Sequence, residues 1–393
     1  MKNPISERLK KIKPSATIAI SSKAMEMRAA GINVISMSAG EPDFDTPEFI
    51  KQAAKDAMDN GMTKYTQVDG LPELKDAIIN KFIDDNELEY QRDNILVSTG
   101  AKQTLYNLFQ AILDPGDEVI IISPYWVSYP DMVLLADAKP VIVDTYQEND
   151  FSINFDEFED AVNEKTKLVI INSPSNPTGI TYNKDDYLAI GTILEEYPDI
   201  YVATDDMYEY IYWGEEPFVS FAQACPDLFD RTITINGVSK SYAMTGWRIG
   251  YCGGPANIVG AMKKVQSQST SNPSSISQAA TIAALNGPKD EIYGMVEQYK
   301  IRHDYLFSAL NDIQGFIASP GTGAFYLFPD VKSAIENKGF SDDVEFSEYL
   351  IETANVAVVP GSAFGSAGYI RLSYATSLNQ IEDAVERISK SLD

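Results

Sequence analysis

An isolated lysine and an isolated arginine stand in the stretch GVSKSYAMTGWRIGY (237–251), among glycine, serine, threonine and aromatic residues. Lys240 and Arg248 are types that rarely enter an interior unpaired. Two chemistries fit them. They are cations snorkelling from a strand edge, or a lysine nucleophile with an anion-binding arginine beside it. Other stretches carry groups of the same kind. TDDMY (204–208) puts Asp205 and Asp206 side by side at the end of an apolar run, where carboxylates are costly unless paired. They read as caps for the next turn or as an acid facing a cation, with Tyr208 close behind. NSPSNPTG (172–179) is a Pro- and Gly-rich turn that carries the amide Asn176. STGAK (98–102) puts Gly100 before a helix that starts at Ala101, and backbone N–H groups at a helix start form a ready anion site.

Composition narrows what these groups do. The chain has 393 residues, more than one core usually holds, so two domains are expected. The formal net charge of −26 repels phosphate backbones and argues against nucleic acid as a partner. It favours solubility and would suit a salty cytoplasm. The apolar runs are too short to span a bilayer, and ATIAI near the N-terminus is too short for a signal segment, so a cytoplasmic protein with no membrane partner is expected. Two cysteines, Cys225 and Cys252, form neither a disulfide framework nor a Cys-x-x-Cys motif. There is one histidine, His303, in an amphipathic helical pattern, where it reads as a helix-surface residue. A His-rich metal site is excluded, and the acid–base groups of an enzyme would be Lys, Tyr, Asp or Glu.

The elements that must position these groups follow from the pattern. Apolar runs at 95–100, 118–124, 139–145, 167–174, 200–206, 231–237 and 247–254 read as strands, with helical patterns such as 101–113 and 184–198 between several of them. Near-continuous apolar strands alternating with helices predict an α/β fold with a mostly parallel, seven-stranded sheet between helices. Ligands of such sheets bind beyond the C-terminal strand ends, where Gly100, Asn176, Asp205 and Lys240 fall. A helical region in two segments follows from about 255, then an α+β pattern that predicts a second, smaller domain. The expected division is a large domain over 46–290 and a small one over 291–393, with segment 1–45 packing on the small one.

A lysine nucleophile, an anion site, a buried acid, an amide and a tyrosine, without histidine, make the set that pyridoxal 5′-phosphate requires. Lys240 would hold the aldehyde, an acid such as one of the adjacent Asp205 and Asp206 would face the pyridinium nitrogen, and Arg248 would bind the phosphate. The order of SAGEPDFDTP, KYTQVDG, STGAKQ, SPYWVSYP, NSPSNPTG, DDMY, SKSYAMTGWRIGY, GAFY, VVPGSAFG and IRLSYA resembles class I, fold-type I pyridoxal-phosphate-dependent aminotransferases nearly end to end. It is most similar to their bacterial aspartate/prephenate branch.

The resemblance implies roles residue by residue. Lys240 carries the Schiff-base linkage and shuttles the substrate proton, and Asp205, rather than Asp206, partners the pyridine nitrogen. Asn176 and Tyr208 hydrogen-bond the cofactor's phenolic oxygen, and Trp126 stacks on its ring. Gly100, Ala101 and Lys102 offer backbone amides to the phosphate, and Ser239 and Arg248 add side-chain donors. Tyr65 reaches the phosphate of a neighbouring subunit, which implies a homodimer with shared active sites. Arg371 forks onto the substrate α-carboxylate, Gly40 closes over the substrate, and Trp126 and Asn176 also line its place. Lys102, with Thr17 folding over the same pocket, would meet a distal carboxylate. The implied reaction is transfer of the amino group of L-aspartate to 2-oxoglutarate in ping-pong half-reactions, with prephenate as a further acceptor. An alanine or aromatic amino-acid aminotransferase, or a lyase on the same fold, are the alternatives.

Overall fold

The computed structural model describes residues 4–12 and 16–393, with side chains described at 4–12 and 19–393. Twelve strands are present among them, β1 Ile35–Ser36, β2 Ile95–Ser98, β3 Glu118–Ser123, β4 Lys139–Asp144, β5 Thr166–Asn172, β6 Tyr201–Asp205, β7 Thr232–Gly237, β8 Gly250–Gly253, β9 Tyr326–Leu327, β10 Val356–Ala357, β11 Val359–Pro360 and β12 Ile370–Ser373. Seven form one sheet in the order β2-β8-β7-β6-β5-β3-β4. β8 runs antiparallel to both neighbours, and the other pairings are parallel.

The apolar runs form strands because both faces of the sheet are covered. On one face Ile121 and Ile170 pack with Leu105, Leu108 and Phe109 of the helix Ala101–Ile112. On the other, Ile120 and Val169 pack with Tyr187, Ile190 and Leu194 of the helix Lys184–Glu195. Successive strand residues point to opposite faces, so a run such as EVIIIS supplies both cores at once. Each such side chain, fully buried, contributes about 1.5–3 kcal/mol. The helix Lys184–Glu195 starts on a capping box in which Asn183 accepts from the first-turn N–H groups and Asp186 reaches back.

Two smaller sheets, β11-β12-β9 and the parallel pair β1-β10, lie outside the large one. Residue Ile35 of the N-terminal segment pairs with Val356. The helix Ala16–Ala29 packs Ile20 and Ala24 against Val34, Ile351 and Ala357. No helix among the described residues is long and apolar enough to cross a membrane.

The fold corrects three expectations. The run 247–254 is not one strand. Thr245–Trp247 is a turn of 3-10 helix, Arg248 is left-handed at φ 58°, and the strand begins only at Gly250. The apolar character of the run is real, but its first residues line a turn. The helical region after 255 has three helices, Ala256–Ser267, Ser275–Asn286 and Asp290–Asn311. His303 is not at the surface. It is 3% exposed, and its Nε2 accepts the Gly321 N–H at 3.0 Å. The pattern reveals the helix, but the turn that crosses its polar edge comes from a distant part of the chain.

Candidate active site

A cavity of ≈ 410 Å³ opens at the C-terminal ends of the parallel strands, lined among others by Lys102, Trp126, Asn176, Asp205, Tyr208, Ser239, Lys240, Arg248 and Arg371. Gly40 and Ala101 also line it. Eleven of the residues picked from sequence thus share one cavity wall. Gly100 stands directly behind Ala101, as the residue before the helix. Tyr65 is elsewhere, 92% exposed, on a loop after the helix Glu48–Asp59. The side chain of Thr17 lies outside the described residues.

Asp205 ends β6, so its side chain emerges where the strand stops. One oxygen accepts the Tyr129 hydroxyl at 2.6 Å, while buried Oδ1 has no partner in the structure. Desolvation raises its pKa to about 6, against the Tyr129 bond, the Met207 backbone N–H and the Lys240 charge, which favour the anion. Asp206, the next residue, does not line the cavity, and burial and the neighbouring Glu209 push its carboxyl well up. Asn172, at the end of β5, ties the two strand ends together. Its Nδ2 donates to the Asp205 carbonyl at 2.7 Å, and its Oδ1 accepts the Asn176 N–H at 2.9 Å.

Lys240 follows β7 by three residues and donates to the Gly40 carbonyl. Loss of hydration, with the positive charges of Arg371 and Arg248 adding to it, lowers its pKa to about 8. A lysine so placed has a substantial neutral, nucleophilic fraction near neutral pH. Tyr208 and Tyr326 place their hydroxyls 2.9 Å apart, both buried.

The anion end is built from glycines. Gly100 has φ +84°, and a Cβ there would sit 2.2 Å from Nη2 of Arg248. A Cβ on Gly250 would sit 2.1 Å from the Ala101 N. Only glycine at both positions lets the arginine and β8 close onto the start of the helix Ala101–Ile112. There the first-turn N–H groups lack intrahelical acceptors. Arg248 spends one N–H on the Thr245 carbonyl at 2.8 Å and is otherwise exposed. Lys102 lies with Nζ 4.8 Å from the Trp126 ring centre, and burial beside Arg248 lowers its pKa.

At the other end Arg371 leaves β12 and is 3% exposed. It donates to Asn176 Oδ1 at 2.9 Å and to the Ser38 carbonyl at 2.7 Å, and its Nε is buried without a partner. The Arg371 bond occupies the amide oxygen of Asn176, which leaves the NH₂ group as the donor available to the cavity.

Sequence reading missed Tyr129, the hydroxyl that holds Asp205. In SPYWVSYP nothing in the sequence sets it apart from a core tyrosine; it follows Trp126 by three residues, across a turn closed by the Tyr129 N–H on the Trp126 carbonyl at 3.1 Å. The Trp126 and Tyr129 rings meet edge to face at 5.3 Å. Tyr326 was also missed, although it belongs to the GAFY motif.

The residues present fit pyridoxal phosphate. Asp205 Oδ1 is an orphaned buried acceptor on the cavity wall. The turn at Gly100 is a cradle that a Cβ would fill. Lys240 is a poorly hydrated amine between them.

The comparisons with known proteins agree with this geometry. Residues 32–388 match the family model described as aminotransferase class I and II. The chain is 52% identical over 394 residues to the aspartate/prephenate aminotransferase of Nitrosomonas europaea, covering 99% of each. It is 48% identical over 389 residues to the aspartate aminotransferase of Bacillus subtilis, again covering 99% of each. The solved aspartate aminotransferase of Rhizobium meliloti superposes with a TM-score of 0.94 at 46% identity, over 100% of this chain and 99% of that one. The Thermus thermophilus enzyme solved with maleate gives 0.94 at 42% identity, over 99% and 100%. A lysine of lowered pKa, an acid at a strand end and an arginine on the facing small sheet thus occur within a chain-long match, and the protein belongs to the class I and II aminotransferase family.

Proposed function

We propose that the chain binds pyridoxal 5′-phosphate and transfers the amino group of L-aspartate to 2-oxoglutarate. The observation that carries this reading is the convergence of Lys240, Asp205, Lys102 and Arg371 on one cavity. The curated names of relatives at 48–52% identity agree with it. When bound, the cofactor supplies an electron sink for the negative charge left at the substrate's Cα.

The chain's residues divide the remaining work. Lys240 would hold the cofactor covalently, and once the substrate's amine has displaced it, its freed amine, whose pKa burial lowers to about 8, would take and return the proton at Cα. Asp205 keeps a proton on the ring nitrogen through its free oxygen, and Tyr129 fixes the carboxylate's direction. Tyr208 and the Asn176 amide donate to the phenolic oxygen. Gly100, Ala101, Lys102, Ser239 and Arg248 hold the phosphate. Trp126 covers the ring. Arg371 forks onto the α-carboxylate, a task for which its planar donors suit better than an ammonium. Gly40 lets the chain close over the substrate, and Lys102 meets the distal carboxylate. A lysine at a helix start opposes the macrodipole, which favours a functional reason for it. Prephenate, also a dicarboxylic 2-oxo acid, is a second acceptor, favoured by the names of the relatives.

Two organisational readings accompany this one. The protein acts as a homodimer in which the exposed Tyr65 of one copy completes the phosphate site of the other. Residues 46–290 form the cofactor-binding domain. Residues 291–393 with 1–45 form the small domain that carries Arg371.

The test is a panel of half-reactions with the pyridoxal-phosphate-loaded protein. Aspartate alone should convert the visible absorption of the bound cofactor to that of its amine form and release oxaloacetate. Lys240→Ala should abolish both, with a loss on the order of 10⁴-fold or more. A protein that stays colourless with added cofactor would refute cofactor binding. Conversion by alanine or phenylalanine but not by aspartate would refute the assigned substrate.

A further inference from the structure

Tyr326 lines the cavity between its two ends. It is completely buried on β9. Its backbone register explains its contacts. Ser373 of β12 is paired with Tyr326, so Arg371, two residues before Ser373, is a diagonal neighbour on the same face of the sheet. The Arg371 guanidinium accordingly lies over the Tyr326 ring at 4.4 Å, with the Phe364 ring 5.0 Å away. The ring thus helps fix the plane in which the guanidinium presents its donors.

The other end of the same side chain meets Tyr208. The two hydroxyls are 2.9 Å apart, and burial pushes both phenols above their ordinary pKa, so each keeps its proton. Only one of the two can donate across the contact. If Tyr326 donates, the Tyr208 proton is directed elsewhere, and the cavity is what Tyr208 also faces. Accepting a bond also makes Tyr208 a stronger donor. Gly40 permits the arrangement, since a Cβ there would stand 2.8 Å from the Tyr326 hydroxyl.

We infer that Tyr326 is a positioning residue with two separable parts: its hydroxyl aims the Tyr208 proton at the cofactor's phenolic oxygen, and its ring sets the plane of Arg371 for the substrate carboxylate. This rests on the reading that the cavity holds pyridoxal phosphate. The hydroxyl therefore acts on the cofactor's protonation and the ring acts on carboxylate affinity.

The experiment compares wild type, Tyr326→Phe, Tyr326→Leu, Tyr208→Phe and the Tyr208→Phe/Tyr326→Phe double variant, each loaded with pyridoxal phosphate. Two quantities are read. One is the pH midpoint of the bound cofactor's absorption band. The other is the dissociation constant of succinate, a dicarboxylate with no amino group to react. Tyr326→Phe should raise the midpoint by about half a pH unit and leave succinate affinity within about twofold. Tyr326→Leu should weaken succinate about tenfold. In the Tyr208→Phe background, Tyr326→Phe should leave the midpoint where Tyr208→Phe alone put it. An unmoved midpoint in Tyr326→Phe, or an equal further shift in the double variant, would overturn the hydroxyl's role. Equal succinate affinity in Phe and Leu variants would overturn the ring's role. If Tyr326→Leu fails to fold, Tyr326→Met takes its place in the succinate measurement, and the phenylalanine variants decide the hydroxyl's part. A wild type with no cofactor band would instead refute the cofactor reading, a distinct failure.

Discussion

The two arginines of the site are held in opposite ways. Arg371 is on a regular strand, 3% exposed, with aromatic rings against its guanidinium and two fixed acceptors for its N–H groups. Arg248 is exposed, on a left-handed backbone in an irregular turn, and fits only because Gly100 lacks a side chain. Packing fixes the first and backbone conformation the second. A buried guanidinium with a free Nε keeps most of its electrostatic strength for a ligand, since little water competes. An exposed one keeps less and needs help from helix N–H groups and, in the proposed dimer, from a second copy. The Arg371 end of the cavity is thus held by fixed contacts within one chain, and the Arg248 end is open.

The largest expected effect is at the buried arginine. Arg371→Lys should lower kcat/KM for every amino acid by about 10²-fold, because an ammonium cannot replace the fork and leaves Asn176 and Ser38 badly matched. A loss of less than threefold in steady-state assays would erase the distinction drawn here. Arg248→Lys should be milder, raising the cofactor dissociation constant by about tenfold, since the helix N–H groups remain. Equal damage from the two lysine variants would mean that exposure is not what separates them.

Gly100→Ala tests the backbone side of the comparison. The added methyl would meet Arg248, and alanine is strained at φ +84° by about 1–2 kcal/mol. Cofactor affinity should fall about tenfold, while succinate affinity in the fully loaded protein stays within about twofold. Tyr65→Phe should raise the cofactor dissociation constant by about threefold to tenfold, the loss of one solvent-exposed hydrogen bond to the anionic phosphate. The effect should be seen in the associated protein by equilibrium dialysis, and no effect at all would argue against a shared site.

The smallest effect concerns His303, behind the turn that carries Asn176. It holds the Gly321 N–H, and the following Thr322 and Gly323 N–H groups both reach the Gly179 carbonyl in the Asn176 turn, each at 2.9 Å. Burial lowers the His303 pKa, against the pull of Asp304. Above pH 6.5 the imidazole is neutral in both folded and unfolded chains, and no stability is lost. As pH falls below 6.5, the unfolded chain takes up a proton that the folded one resists, so stability falls with pH. His303→Gln, whose amide oxygen can still accept, should shrink the drop in Tm between pH 7.5 and 5.5 by about 1–2 °C. An unchanged drop would remove His303 from the pH response.

Much of this was legible in advance. The seven strands of the large sheet could be read from the apolar runs because each run supplies both cores, and the order of motifs located Lys240, Asp205, Asn176 and Arg371 at strand ends or on strands. The illegible part is instructive. His303 reads as a surface residue because helical periodicity reports the helix and not the distant turn laid over it. The run at 247 reads as a strand because the residues are apolar, although a left-handed Arg248 interrupts it. Tyr129 and Tyr326 escaped notice because tyrosine serves equally well as core, and only its hydroxyl's partner tells the difference.

By itself, then, the sequence determined the local and periodic features: the parallel strands, the glycines that permit close approach, the isolated lysine and the acid at the end of an apolar run. These depend on residue type and spacing along one stretch of chain. Tertiary structure alone decided which oxygen of Asp205 is left free, which donor Asn176 keeps for the cavity and which ring lies under Arg371. Each of those is set by contact between residues far apart in the chain, and such contacts are specified by packing and register rather than by any local pattern.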